Sequence, residues 1–231
     1  MFDKLNIEIE EYNSRVINNE NESEYNNPLT CNYYDIDEFT KCKFNSSKTF
    51  SIMHLNIHSI QLHIDELKNL LKMLDYTFDI ITISESKLKK DPIINIEIPG
   101  YKTPCITKTE AEKGGTLIYV LKDINFKRRK DLEIYQSKNL ESTFIEIINQ
   151  KESNNIIGVI YRHPKMDPTK FIENELSCLL DKLSQESNKK VYMAGDFNFD
   201  LFKIINHTAT ANFYEKITSN LYIASFNFIA Y

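Results

Sequence analysis

No apolar run in this chain approaches the ~20 residues that a bilayer-spanning helix needs, so no helical membrane anchor is expected. The opening residues, Met1-Phe2-Asp3-Lys4-Leu5-Asn6, lack the basic-then-apolar pattern of a signal peptide, which points to an intracellular protein. Cysteine is scarce. Cys31, Cys42, Cys105 and Cys178 are widely scattered and show no paired metal-ligand spacing, and they read most simply as free thiols in a reducing compartment. There is no internal repeat.

A strong overall charge is also missing, because the net of −5 is local. Residues 1–47 hold ten of the 33 acids and four of the 28 basic residues, so residues 48–231 carry about +1. The first segment is Asn-rich and includes Asn18-Asn19-Glu20-Asn21-Glu22-Ser23-Glu24, which has little apolar surface to bury. Residues 1–47 are therefore expected to be a mostly disordered acidic leader before a domain over 48–231. The acidic total then says little about what that domain binds.

What is present is an ordinary globular composition, 42% hydrophobic and 26% charged, in a chain long enough for one large α/β domain. Phe50 to Ile57 reads as a strand. Ile60, Ile64, Leu67, Leu71 and Leu74 follow at helical spacing, with Ser59 as N-cap. Further strands are expected over 78–83, 116–121, 140–148, 155–161 and 190–194. Asp167-Pro168 opens a helix with an apolar face of Ile172, Leu176, Leu179, Leu180 and Leu183. A last helix is expected over 209–219. The alternation predicts a mixed sheet system with outer helices.

The chemistry-bearing residues collect where these strands end: Asn56 and His58, then Glu85, then Tyr161 and Arg162, then Asp196 and Asn198. The last group, Met193-Ala194-Gly195-Asp196-Phe197-Asn198-Phe199-Asp200, is the most informative. On an extended chain Asp196 and Asn198 point the same way, so a carboxylate and an amide face one pocket at the strand's C-terminal end, where open α/β sheets hold ligands. Such a pair can hold a water and accept its proton for attack on phosphorus or a carbonyl. A single carboxylate with amide neighbours and waters suits Mg²⁺. Each residue also has a purely structural reading. Glu85 could pair with Lys87 or Lys89, Tyr161 could be a half-buried strand aromatic, His58 a solvated loop residue, and Gly195 to Asn198 a plain turn.

Five segments in this order resemble the endonuclease/exonuclease/phosphatase superfamily, and more narrowly the apurinic-type endonuclease domain that precedes the reverse transcriptase of non-LTR retrotransposons. They are Leu55-Asn56-Ile57-His58-Ser59-Ile60, Ile83-Ser84-Glu85-Ser86-Lys87-Leu88, Gly114-Gly115-Thr116-Leu117-Ile118-Tyr119-Val120, Gly158-Val159-Ile160-Tyr161-Arg162-His163-Pro164 and Gly195-Asp196-Phe197-Asn198-Phe199-Asp200-Leu201. The resemblance implies a four-layer α/β sandwich, two packed mixed sheets flanked by helices. It implies Glu85 as the Mg²⁺ ligand, with Mn²⁺ the alternative ion, and Asn56 bonding metal water or phosphate. It implies Tyr161 on the scissile phosphate, Asp196 orienting or deprotonating the attacking water, and Asn198 fixing that geometry. Arg162 and His58 are expected to bind substrate, although many relatives carry an acidic or amide group where His58 stands. The partners implied are DNA and, in the intact element, a reverse transcriptase, which places a functional protein in the nucleus. Nicked DNA would supply the primer.

One departure stands out. The resemblance calls for an Asp and a terminal Ser-Asp-His motif after the Gly195–Asn198 segment, and none follows Asp200 here. His207 comes too soon to fill that role. An endonuclease domain incomplete at its C-terminus, lacking its last strands, is therefore expected, with a binding-only retroelement remnant as the alternative. A lipid or inositol phosphate substrate fits Tyr161-Arg162-His163-Pro164 less well. The dense basic run Lys127-Arg128-Arg129-Lys130 is either a phosphate-neutralising loop or a solvated hairpin face.

Overall fold

The structure is a computed structural model that describes residues 7–9, 32–42, 50–89, 95–149, 153–186 and 188–219. The chain forms two compact units, one of residues 1–49 with 69–76, the other of residues 50–68 with 77–231.

In the first unit, β1 (Ile7–Ile9) pairs antiparallel with β2 (Asn32–Tyr34), and α1 (Ile36–Lys41) follows. Asp35 caps α1 by accepting from the Glu38 amide, while the Glu38 side chain accepts from the Asp35 amide, a reciprocal capping box. Phe39 of this helix is buried and meets Tyr76 edge-on. Of the expected leader, these are the described parts. The Asn-rich stretch around Asn18 to Glu24 and Cys31 lie outside the described residues.

The second unit holds two mixed sheets. The first has the order β3 (Ile52–Asn56), β4 (Ile80–Ser84), β6 (Thr116–Val120), β5 (Cys105–Thr107), with β3 and β4 parallel and the rest antiparallel. The second has the order β11 (Lys190–Asp196), β10 (Asn155–Arg162), β9 (Leu140–Ile147), β7 (Phe126–Arg128), and β8 (Tyr135–Gln136) also pairs with β9. Here β10 and β11 are parallel, and β9 runs antiparallel to β10. Each parallel pair needs a crossover connection, and here both crossovers are helical. These are α2 (Ile60–Leu74) and the helix that begins as α3 (Pro168–Lys170), passes through a π-helical turn at Phe171–Leu176 and continues as α4 (Ser177–Ser184). Asp167 caps the second of these, accepting from the Lys170 amide, with Pro168 in the first turn. A 3₁₀ turn (Leu201–Lys203) and α5 (Thr208–Ser219) complete the described elements.

Two apolar clusters hold the layers. Ile80, Ile118 and Val120 of the first sheet meet Ile145, Ile147, Ile157 and Val159 of the second. On the other face of the second sheet, Leu140, Phe144, Ile156, Ile160, Val191 and Met193 pack with Phe171, Leu176, Leu179, Leu180, Leu183 and Phe213 from the helices. The expected four-layer architecture of two packed mixed sheets flanked by helices is the one observed. Three short strands, β5, β7 and β8, were not among the strands expected from the sequence. They are two or three residues long, too short for a period-2 signal. The apolar stripe of α2 is also displaced: Leu70 is buried, whereas Leu71 is only partly so.

The basic run resolves into internal ion pairs. Arg128 pairs with Glu133, and Arg129 with Asp131, Glu146 and Glu186. Asn154, Lys189 and Lys127 also bond Glu146, which is 1% exposed and whose carboxyl is lowered to about 2 because the bonds from Asn154, Lys189, Arg129 and Lys127 outweigh its burial. Lys189 immediately precedes the start of β11, the strand end opposite Asp196. Seven residues at about 3.3 Å each separate the two ends. This network is structural and faces away from the strand ends where the candidate site lies.

Candidate active site

Strand alternation decides which side chains enter the space between the sheets. On β10, Ile157 and Val159 belong to the inter-sheet cluster, so Tyr161 shares their face. On β11, Val191 and Met193 pack with the helices, which turns Ala194 and Asp196 toward the other sheet. On β3, Ile52 packs against the inter-sheet cluster and Asn56 follows on the same face. The space between the sheets is therefore apolar at one end. At the other it is lined by Asn56, Ser84, Thr116, Glu141, Thr143, Tyr161 and Asp196.

Several hydrogen bonds cross between the sheets at that polar end, and two of them join the residues singled out from the sequence. The Asn56 amide Nδ2 donates to Asp196 Oδ2 at 2.9 Å. The Tyr161 hydroxyl donates to Glu85 Oε1 at 2.9 Å, Glu85 standing just past the end of β4. His58 Nδ1 lies 2.7 Å from the remaining carboxylate oxygen, Oε2. Glu85 is thus engaged by His58 and Tyr161, not by Lys87 or Lys89. It is 4% exposed, and its backbone is left-handed with φ of 51°. His58, Lys87 and Asn198 also have left-handed φ, each at 53°. Such strain in non-glycine residues persists only where surrounding contacts over-determine it, and it gathers at functional sites. The Gly114-Gly115 turn supplies part of that support, accepting from the Lys87 and Ser86 amides at 2.8 and 3.0 Å.

The ionisable groups are unequal. Burial pushes the Glu85 carboxyl up, but the bonds from His58 and Tyr161 and the nearby charges outweigh it and hold it below the usual range. Burial pushes the Asp196 carboxyl up, and the Glu85 charge adds to this against the bonds from the Asn198 amide and Asn56. Tyr161 is raised by burial first and then by the charge of Glu85, so it remains a hydrogen-bond donor. Two repelling carboxylates in one polar pocket are the arrangement a cation relieves. Carboxylate and amide oxygens fit a hard divalent ion. Among the described residues no cluster of three or more His, Cys, Asp or Glu side chains is placed to enclose a metal.

The structure corrects one sequence expectation about these residues and gives Arg162 partners that the sequence did not show. Asp196 and Asn198 do not project side by side from an extended strand. The strand ends at Asp196, and the chain turns so that the Asn198 backbone N–H donates to Asp196 Oδ1 at 3.0 Å. The Asn198 side-chain amide donates to the Arg162 carbonyl at 2.6 Å. Asn and Asp commonly make such local turns, and here that chemistry won over extended geometry. Arg162, expected on substrate phosphate, is 4% exposed and is bonded to backbone carbonyls on both sides of it.

Sequence reading missed Glu141 and His163. Glu141 is the cross-strand partner of Tyr161, is fully buried, and accepts from the Gly115 amide through Oε2. Its Oε1 lies 3.8 Å from His163 Nε2, and neither of these atoms has a hydrogen-bond partner. The His163 ring meets Tyr161 edge-on with centroids 4.7 Å apart. An acid inside the otherwise buried strand Leu140–Ile147 was the available signal.

Neither a family model nor a curated protein sequence matches the chain. Solved structures do. An AP endonuclease from Leishmania major matches with a TM-score of 0.55 at 12% identity, over 78% of this chain and 68% of that one. A 3′ phosphatase from Neisseria, bound to a product DNA hairpin, matches with 0.46 at 17% identity over 74% and 71%. An AP endonuclease from Archaeoglobus fulgidus matches with 0.39 at 17% identity over 74% and 71%. The Leishmania likeness carries the conclusion, which concerns architecture: this chain has the two-sheet α/β fold also found in that AP endonuclease.

Proposed function

We propose that the chain belongs to the endonuclease/exonuclease/phosphatase superfamily and is a metal-dependent phosphodiesterase that nicks DNA. The observation that carries this reading is the pair of hydrogen bonds, Asn56 to Asp196 and Tyr161 to Glu85, that join the two sheets at one polar end. The shared fold and the five ordered segments support it. The segments around Tyr161 and Asp196 favour a non-LTR retroelement origin, in which a nick yields the 3′-hydroxyl that a reverse transcriptase extends.

Glu85 would hold the divalent ion, Mg²⁺ or Mn²⁺, with the Asn56 carboxamide oxygen beside it. The ion would neutralise charge on the phosphate and on the departing oxygen. Asp196 takes the proton of the attacking water, whose oxygen bonds to phosphorus. The P–O3′ bond then breaks, and O3′ takes a proton from solvent. Asn56 orients Asp196 for this step through Oδ2, and the Asn198 backbone N–H does so through Oδ1. Tyr161 donates a hydrogen bond throughout. It holds Glu85 and is placed to turn toward a phosphate oxygen.

The experiment is nicking of supercoiled plasmid by the purified chain with and without Mg²⁺, beside Asp196→Asn and Glu85→Gln. Metal-dependent nicking by the parent and by neither variant is expected. A folded parent that binds plasmid without cutting it would replace this reading with the binding-only alternative.

A further inference from the structure

We infer that Arg162 is a positioning residue, a buried clamp that sets the Asp196–Asn198 turn against Tyr161. The inference rests on the nuclease reading for its kinetic consequence but not for its structural one. Arg162 is the last residue of β10, next to Tyr161, whose side chain faces the site. Its Nε donates to the Phe197 carbonyl at 2.6 Å and its Nη2 to the Asn198 carbonyl at 2.7 Å, both in the turn that carries Asp196 and Asn198. Its Nη1 donates to the Met166 carbonyl at 2.7 Å, tying in the loop that leads to the next helix. The turn answers in kind, because the Asn198 side-chain amide donates to the Arg162 carbonyl at 2.6 Å.

The guanidinium also lies against one side of an aromatic cluster, the Phe171 and Phe199 rings being 6.2 Å apart. It lies 4.4 Å from the Phe199 ring centroid and 5.8 Å from that of Phe171, and Phe199 stacks on Phe213 of α5 at 4.3 Å. The clamp thereby joins two loops to the helical layer. A planar fork of donors is required, since three carbonyls in different directions cannot be satisfied by one ammonium on a flexible stem, and an ammonium does not stack in this way. Arg162 acts on Asp196 through the backbone it holds as well as through its charge, and Arg162→Lys keeps the charge while removing the fork. An error of about 1 Å in such a group costs on the order of 10²-fold in rate without weakening substrate binding.

The test compares the parent with Arg162→Lys. In ¹⁵N-labelled protein, exchange of the Asn198 backbone amide should be at least about tenfold faster in the variant, with amides of Val191 to Met193 unchanged. In plasmid nicking, kcat should fall on the order of 10²-fold while KM stays within about twofold. Added guanidinium ion should restore part of the activity of Arg162→Ala, and methylammonium should not. A raised KM and a salt dependence shallower by about one phosphate contact, with kcat and Asn198 exchange unchanged, would overturn the inference and make Arg162 a substrate contact. If the parent does not nick at all, the nuclease reading fails and the exchange result alone decides the role of Arg162. Should Arg162→Lys lose the global fold, Phe199→Leu replaces it, removing the ring at 4.4 Å but none of the three donors. Faster Asn198 exchange supports the clamp there too, and unchanged exchange refutes it.

Discussion

Replacing Tyr161 by Phe removes one oxygen from the centre of the site and nothing else from the packing. The lost bond is the hydroxyl donating to Glu85 Oε1 at 2.9 Å, to a carboxylate only 4% exposed. A hydrogen bond to a charged group contributes about 1.5–3 kcal/mol, and its loss leaves Glu85 to His58 alone. We therefore expect Tyr161→Phe to lose about 2 kcal/mol at pH 7, or a Tm lower by about 4–8 °C for a domain of this size. The pH dependence separates this mechanism from a packing defect. The Glu85 carboxyl is depressed in the folded state, so its contribution is fully present above its unfolded value and is lost as pH falls through the folded value. The gap between parent and variant should therefore begin to narrow below the ordinary carboxyl value, about 4.5, and close only once pH has fallen through the depressed folded value. Urea titrations of both proteins at pH 7 and in steps down through the acid range in which both stay folded, with equal m-values, measure it. A gap that does not narrow anywhere in that acid range, or none at pH 7, would refute the charged-acceptor reasoning.

Gly195 has φ of +155°, and a Cβ there would lie 2.0 Å from the Ile160 carbonyl oxygen, so Gly195→Ala should destabilise by about 3 kcal/mol or more, read by urea denaturation. Asn56→Ala removes a bond that lowers the Asp196 carboxyl, so the acid limb of the pH–rate profile for nicking should move to higher pH. An unmoved limb would mean that Asp196 is not the titrating base. Arg129→Ala leaves buried Glu146 without its guanidinium and should cost about 3 kcal/mol in stability, while DNA affinity and its salt slope stay unchanged. A shallower salt slope would return the basic run to the DNA interface.

The elements most legible in sequence were those with long periodic burial. The predicted strand over 155–161 appears as Asn155–Arg162, and the predicted helix face of Ile172, Leu176, Leu179, Leu180 and Leu183 is buried as a set. The π-helical turn within that helix left no trace in the pattern, because one extra residue per turn hardly disturbs an apolar face. Asn56, Glu85, Tyr161 and Asp196 were singled out from their places at strand ends, and the structure brings these four side chains together.

Residue types and their period alone determined the longer strands and helices after residue 50 and which side chains end those strands, since alternation and helical spacing are local properties of the chain. The tertiary structure decided what those side chains touch. It turned Arg162 inward, because carbonyls of two loops converge on a position that a sequence presents only as a cation after a tyrosine. It engaged Lys127, Arg128 and Arg129 in ion pairs, because Glu133, Glu146 and Glu186 are brought to them by the fold. It also placed Glu141 opposite Tyr161, because β9 and β10 pair in one register. These are long-range contacts, and their energies depend on partners that no local window contains.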